Sequence, residues 1–567
     1  MDQKKIIWKI IDTYFKDNSD FSVHHHLSSY NSFIKNGIPQ ILSERNPIRM
    51  IKEYDNEIKD YRYKMNLYIG GKNGQKIYFG KPVIYDNKNQ HFMFPNEARL
   101  RNMTYGVTIH YDVDVDFEIF LENNDDEEKS QEKYKLHQET ITLEKIYFGK
   151  FPIMLRSDLC ILKELTNEVR FNAGECRNDD GGYFIIDGKE KIIVSQEKFA
   201  DNILYIKKNK DDNKYSYAAE IRSVSDDASK PIRTLSVRIE AESGLLTHQN
   251  IVVNVPNIRK PVPLFILMRA LGVISDFNII ETCLLDMEKN KSLIDLFKPS
   301  VHDAGNIFTQ QAALKYLSTL TKGKTLDHVY EILMNYFLPH IGELNFREKS
   351  LYLGYIVFRL LRVYTGLEKP TDRDSYTYKR IEVSGMLLNQ LFREYYILQE
   401  KKIYLTLDKE YTFKGSEVKY KELHFKNLLT DNVLNVFKHR LVEEGFRKAF
   451  KGNWGSEAHT KRSGVVQDLN RLSFFGSLCH KRKVNLPLDK SAKILAPRFL
   501  HGTQWGIICP IHTPDGGNCG LHKHMAITST ITSGCESKPY IKYLRNMGML
   551  LLSESKISIY HKLLKYF

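Results

Sequence analysis

The apolar period of this chain changes in blocks, and that change constrains its fold more than any other feature. From Lys64 to Leu121 short β-type runs such as KIYFGKPVIY and YGVTIHYDVDVDFEIF are broken by Gly and Asn. ITLEKIYFGKFPIML and the 215–255 stretch carry the same strand signal. The segment GGYFIIDGKEKIIVSQE places two apolar runs around Asp187-Gly188, a pair that tolerates positive φ and so predicts a hairpin. Residues 262–400 instead repeat at helical spacing, as in LFILMRALGVI and SGMLLNQLFREYYILQEKK, and LLTDNVLNVFKHRLVEEGFRKAF predicts a further helix ending near Gly452. After Asn453 the chain is rich in Gly, Pro and His, with only short regular pieces. Such blocks specify a mixed α+β multidomain protein, and 567 residues allow about three or four domains.

Other segments narrow the class. No run of about 18 apolar residues occurs, since Arg269 interrupts Pro263–Ile274, so no membrane-spanning helix is expected. The N-terminal MDQKKIIWKIIDTYF reads as an amphipathic helix with one buried face, not a secretory signal. Asn123–Lys135, charged and poor in apolar residues, predicts an exposed loop. Seven scattered cysteines with no CxxC pair predict reduced thiols.

Charge is unevenly placed. Phe446–Leu500 holds twelve Lys or Arg and three acids, so this tenth of the chain carries +9 of the formal +14. A basic excess of this kind suits a polyanionic partner. Within it, Lys461–Trp505 interleaves cations with amides (Gln467, Asn470, Asn485), aromatics (Phe474, Phe475) and imidazoles (His480, His501). Arg grips phosphate bidentately, Lys is a mobile point charge, and amides meet sugar hydroxyls or base edges. The block HKRK (480–483), between a predicted helix and a Pro turn, is expected on a projecting loop; the competing reading of any charge run is a solvated face.

Three other constellations have structural alternatives. Asp112, Asp114 and Asp116 share one strand face, as a two-metal site would require, or as a wet strand face balanced by Arg99 and Arg101. Cys509, His512, Cys519, His522 and His524 have zinc-like spacing, interrupted by a Pro-Gly turn. His24, His25 and His26 suggest a solvated helix end. Gly182–Lys189 lacks the spacing and the Ser/Thr of a phosphate loop, and no nucleophile elbow is present.

Six collinear blocks carry a family likeness. LNRLSFFGSLCHKRKVNLPL, APRFLHGTQWGIICPIHTPDGGNCGL, GGYFIIDGKEKIIVSQE, EARLRNMTYG, TDRDSYTYKRIEVSGMLLNQLF and GNWG resemble the second-largest (β-type) subunit of multisubunit DNA-directed RNA polymerases. The likeness, closest to the eukaryotic and large-DNA-virus type, runs from about residue 20 to the C-terminus and covers the N-terminal half of such a subunit. It implies a protrusion domain from 1–215 and 380–445, a lobe from 216–379, a fork from 446–532 and the start of an external domain at 533–567. It implies nucleic-acid contacts by Gln467, Asn470, Arg471, His480, Lys481, Arg482, Lys483, Arg498 and His501 beside the active centre, with Asp515 near the incoming nucleotide. His512 and Asp515 depart from the family's E-T-P-E-G turn, which leaves the role of that turn open here. Cys509 and Cys519 match positions without a metal role, which turns the reading away from zinc.

The resemblance also says what is absent. The Mg²⁺-binding aspartates belong to the largest subunit, and nothing here matches them; the hybrid-binding lysines and the zinc site belong to the other half. No catalytic or metal-binding residue is therefore expected in this half, and the chain alone should not polymerise nucleotides. Implied partners are the largest subunit, the C-terminal half of this subunit, smaller subunits, the DNA template and nascent RNA, with no membrane. The expected location is intracellular: host cytoplasm or virion if viral, nucleus if cellular, with the Lys-, Asn- and Ile-heavy usage leaning towards a large cytoplasmic DNA virus. The alternative from another class is a non-enzymatic basic nucleic-acid-binding protein that keeps this fold.

Overall fold

The computed structural model describes residues 3–86, 89–122, 134–209, 214–225, 227, 230, 232–242, 249–412, 419–458, 460–492, 494–532, 534 and 537–550. The chain opens with α1 (Gln3–Asp17), α2 (His24–Ser32) and α3 (Ile38–Arg45). The face of α1 expected to be buried is open: Ile6, Ile7, Trp8, Ile10, Ile11 and Tyr14 are all exposed. The period reported amphipathicity correctly, but among the described residues of that face only Phe15 is half-buried, its ring 5.0 Å from that of Phe21. The three histidines also differ from expectation, because only His24 is exposed while His25 and His26 are buried at the start of α2.

An antiparallel sheet follows, with β1 (Ile48–Asp55), β2 (Asp60–Ile69), β3 (Ile77–Phe79), β4 (Gly106–Glu122) and β5 (Tyr134–Pro152). β4 and β5 form one long ribbon bent by register shifts at Ile109/His110 and Tyr111/Val113, where shorter strands had been read. Most of the predicted charged loop, residues 123–133, lies outside the described residues; Tyr134 and Lys135 belong to β5. The aspartates of β4 are each occupied. Asp112 accepts from Tyr78 Oη and the Lys145 amide (both 2.8 Å), Asp114 from Lys76 and Thr142, and Asp116 from Lys72 and Thr140. The balancing cations are therefore Lys72 and Lys76, not Arg99 and Arg101. The predicted hairpin is present as β6 (Phe184–Ile186) and β7 (Lys189–Ile193), with Asp187 at φ 49° and Gly188 at φ 76°. β8 (Ser195–Phe199) closes this part.

The next unit has its own apolar core, spanning Ile206 to Val363. β9 (Leu204–Lys208), β10 (Tyr215–Ser223), β11 (Arg233–Glu240), β12 (Ile251–Asn254) and β13 (Val262–Pro263) form an antiparallel meander in chain order. Helices cover it, among them α4 (Leu264–Ala270), α5 (Asp276–Leu284), α6 (Gln310–Leu320) and α7 (Phe346–Tyr364). α4 is buried on all sides, so Arg269 inside it needs partners, and it donates to Asp276 and to the Ile307 carbonyl.

The chain then returns to the first core through β14 (Lys379–Glu382) and α8 (Ser384–Thr412). Leu388, Leu391, Phe392, Tyr395 and Tyr396 form the buried stripe of α8. The helix read across 428–450 is broken into three, ending in α9 (Leu441–Phe450). Asn432 explains one break: its side chain donates to the Leu428 carbonyl at 2.9 Å, competing with the helical backbone. Of the proposed external segment, 551–567 lie outside the described residues.

Candidate nucleic-acid interface

The basic C-terminal segment is built into the first unit by adding strands to its hairpin and to β8. β15 (Val466–Asp468) pairs antiparallel with β7, placing Gln467 opposite Ile192. α10 (Phe474–Lys481) is N-capped by Ser473, whose Oγ accepts from the Gly476 amide at 3.0 Å. β16 (Lys483–Asn485) then runs parallel to β8, and β17 (His522–His524) adds outside it, giving the order β14-β8-β16-β17. Buried Glu197 on β8 fastens this sheet. It accepts from Tyr376 Oη (2.7 Å) and Lys523 (3.0 Å), and Lys379 lies at 3.1 Å. Burial raises its pKa, but Lys523 and Lys379 more than offset that and keep the carboxylate charged.

HKRK is not on a projecting loop. His480 and Lys481 end α10, Arg482 makes the turn and Lys483 opens β16. The Lys481 ammonium is 4% exposed and donates to Asp179 at 3.0 Å, over the Tyr183 ring. Arg482 is 5% exposed and spends its guanidinium on the carbonyls of Phe21, Ala526 and Ser529. Both side chains brace the fold, so the expectation that they face a ligand is corrected. The reason is that each found an acceptor supplied by a segment hundreds of residues away, which the local charge pattern does not show.

The other site residues divide by what they touch. Arg471 forks between Glu190 (2.6 Å) and Asp179 (2.8 Å). His480 Nδ1 accepts the Asn470 amide at 3.1 Å, which leaves Nε2–H to donate to Gln467 at 3.0 Å. Burial, with Lys483 and His524 nearby, lowers the His480 pKa to about 4, so it is neutral at pH 7. Gln467 also donates to the Gly464 carbonyl. Arg498 ties Gly517, Cys519 and Lys490 carbonyls together, and His501 bridges Asp372 and Thr503 at 2.7 Å each. Asn470 and Asp515 are exposed. Lys483 is half-buried, has no ion pair, and has its pKa lowered by burial.

Part of the +9 of this segment is therefore paired within the chain, with Arg447 and Lys451 paired at the surface. Arg447, Lys451, Arg462, Arg471 and Lys481 pair with acids at 443, 187, 382, 190 and 179. Among its described residues, Lys448, Lys461, Lys483 and Lys490 have no ion pair. The acids of the 175–190 segment are the functional residues that sequence reasoning missed. Asp179 alone accepts from Lys481, Arg471, Tyr183 and the Gly181 amide. The same stretch of chain carries large exposed apolar side chains, including Leu472, Phe475, Phe499, Trp505 and Ile511. An apolar surface of this extent on a basic module marks a contact face.

The zinc-like set is not assembled into a metal site. His512 and His524 stack with ring centroids 3.6 Å apart, and among the described residues no group of three or more His, Cys, Asp or Glu is placed to hold a metal ion.

Residues 22–426 match the family described as RNA polymerase beta subunit, and residues 467–531 match RNA polymerase Rpb2, domain 3. The chain belongs to the RNA polymerase β-subunit family. DNA-directed RNA polymerase II subunit RPB2 of Encephalitozoon cuniculi is 33% identical over 568 residues, covering 98% of this chain and 46% of that protein. DNA-directed RNA polymerase II subunit 2 of Arabidopsis thaliana is 34% identical over 585 residues, again covering 46% of its length. The chain thus spans about half of these relatives. Against DNA-directed RNA polymerase subunit Rpo2N of Methanothermobacter thermautotrophicus, identity is 30% over 570 residues, covering 96% of this chain and 98% of that protein. Within the family, the chain corresponds to the N-terminal half of the second-largest subunit. The domain 3 match, residues 467–531, overlaps the later part of the basic segment.

Proposed function

We propose that this chain works as the N-terminal half of the second-largest subunit in a DNA-directed RNA polymerase, templating RNA synthesis on DNA. The observation that carries this is the near-complete mutual coverage with a polymerase subunit of the same extent. In this reading 1–215 with 380–445 form the protrusion, 216–379 the lobe, 446–532 the fork and 533–567 the start of the external domain. The fork lies beside the RNA–DNA hybrid. Partners are the largest subunit, the complementary half of this subunit, smaller subunits, template DNA and nascent RNA, all inside the cell.

The chain contributes no catalytic group. Mg²⁺, which the family likeness assigns to the largest subunit, would neutralise charge in nucleotidyl transfer, and zinc would belong to the complementary half. What this chain supplies is position. Asp179, Glu190 and Glu197 fix β15, α10 and β16 as one body with β6–β8, so Lys483, Asn470 and the exposed aromatics are presented from a rigid base. Lys481, Arg482, Arg471, Arg498 and His501 hold that surface in shape. The apolar residues around it are covered by the partner polypeptides.

Reconstitution of the heteromer tests this. Template-dependent RNA synthesis should require the chain and Mg²⁺ together, and the chain alone should make none. Synthesis that proceeds at the same rate without this chain would overturn the proposal.

A further inference from the structure

Among the described residues β14 is an edge of the four-stranded sheet, paired only with β8. The ladder starts at Ala200, whose amide donates to the Tyr378 carbonyl at 2.8 Å. Antiparallel bonding alternates, so Tyr378, Arg380 and Glu382 turn their backbone groups toward β8, while Lys379 and Ile381 turn theirs outward. The Lys379 amide donates to the Tyr376 carbonyl and the Lys379 carbonyl takes the Arg380 guanidinium at 2.9 Å; the outward amide and carbonyl of Ile381 meet no backbone partner among the described residues.

This bare edge borders a cleft of about 1130 Å³. Consecutive residues Lys379, Arg380 and Ile381 all line it although their side chains alternate in direction, so the cleft follows the strand's edge, not one face. Its other walls are α2 and the turn before α3, with Ser28, Ser29 and Ser32 among their residues, and a stretch of this same chain holding Ile507 and Thr530–Thr532. Two buried polar atoms in the wall lack partners: Nε2 of His25, a side chain 6% exposed, and Asn389 Oδ1. At the mouth, the Arg380 guanidinium is exposed and meets only carbonyls, with no carboxylate partner. Natural sheets rarely leave such an edge uncovered.

We propose that β14 takes an extended segment from the polypeptide that completes the subunit, bonded to the amide and carbonyl of Ile381 and carrying an acidic residue near Arg380. The two orphan side-chain atoms then meet polar groups of that strand. Unpaired backbone selects an extended segment, and the unmatched guanidinium selects an acid. The relatives carry more than half of their length outside the portion this chain matches, so a polypeptide long enough is available. The inference rests on reading the chain as one part of a two-part subunit.

Hydrogen exchange compares the full chain alone with the full chain co-expressed and co-purified with its complementary polypeptide. The Ile381 amide should exchange at least about tenfold more slowly in the heteromer, while the Lys379 amide, already bonded to the Tyr376 carbonyl, should change little. Ile381→Pro removes only an outward amide, which an edge strand tolerates, and should weaken association by about tenfold while leaving the thermal transition of the free chain in place. Arg380→Glu should weaken it by about fivefold. Assembly with the Ile381 amide still exchanging at the free-chain rate overturns the strand but not the two-part subunit. Failure of the wild-type chain to associate overturns both. Protection already present in the chain alone, growing with its concentration, replaces the partner with a second copy and overturns the proposal. If Ile381→Pro does not fold, the wild-type exchange comparison still decides.

Discussion

Asp179→Asn isolates the contact that fixes the basic module to the protein body. The wild-type carboxylate lies 3.0 Å from Lys481 Nζ and 2.8 Å from both Arg471 Nη2 and Tyr183 Oη. Lys481 has no other carboxylate among the described residues, and both partners of that pair are at least nine-tenths buried. Removing one member of a buried pair costs about 3–5 kcal/mol, because the other charge stays desolvated. Arg471 adds little, since it is 42% exposed and keeps Glu190. The expected loss is about 3 kcal/mol, or a little over a hundredfold in the opening equilibrium of α10 and β16. Hydrogen exchange across 474–485 measures it directly. Asp179→Leu with Lys481→Met should recover most of the loss, because both charges leave together. Burial raises the Asp179 pKa, but Lys481 and Arg471 outweigh it and hold the carboxyl well below the usual range. A depressed carboxylate contributes stability that is complete above about pH 4 and is lost as pH falls further. A single-variant effect under about 0.5 kcal/mol, or strictly additive effects in the double variant, would refute the reasoning.

Other outcomes follow from the same contacts. If Lys448, Lys461, Lys483 and Lys490 are the module's available cations, the salt dependence of duplex binding through this face should have a log–log slope of about −4, not about −8, and Lys483→Ala should reduce it by about 1. Filter binding from low to moderate salt reads both numbers. Gly385→Ala would put a Cβ 1.9 Å from the Ser29 carbonyl oxygen, where α8 meets α2, and should cost about 3 kcal/mol or more, seen as lost soluble yield and a lower melting temperature. Burial lowers the His26 pKa to about 4, although its bond to the Lys481 carbonyl raises it. A histidine depressed in the folded state costs stability as pH drops from about 6.5 toward 4, by about 3 kcal/mol at the end of that window. His26→Gln should flatten that part of the stability–pH curve, measured by urea titration at each pH.

Local patterns were legible where local physics decides the structure. Asp187-Gly188 makes its hairpin because the two residues tolerate positive φ, and the strands of 215–254 and the stripe of α8 follow their apolar periods. What could not be read is who sits opposite whom. HKRK looked like a binding loop because Asp179 and the carbonyls of Phe21 and Ala526 lie far away in sequence. The same gap hid Lys72 and Lys76 as partners of the β4 aspartates and left the apolar face of α1 with no visible occupant. The family likeness assigned the basic segment to a fork beside the active centre, and the matches over 22–426 and 467–531 support that likeness; the pairing of this segment with the hairpin appears only in the fold.

The central claim is that the face carrying Lys483 and Asn470 borders the growing RNA–DNA hybrid while another chain supplies the ions. Photo-cross-linking from a reactive nucleotide at the RNA 3′ end of a stalled, reconstituted elongation complex tests it most directly. The adducts should map within 461–505 and fall away with Lys483→Ala. Adducts confined to the 206–363 unit, or none on this chain, would contradict it.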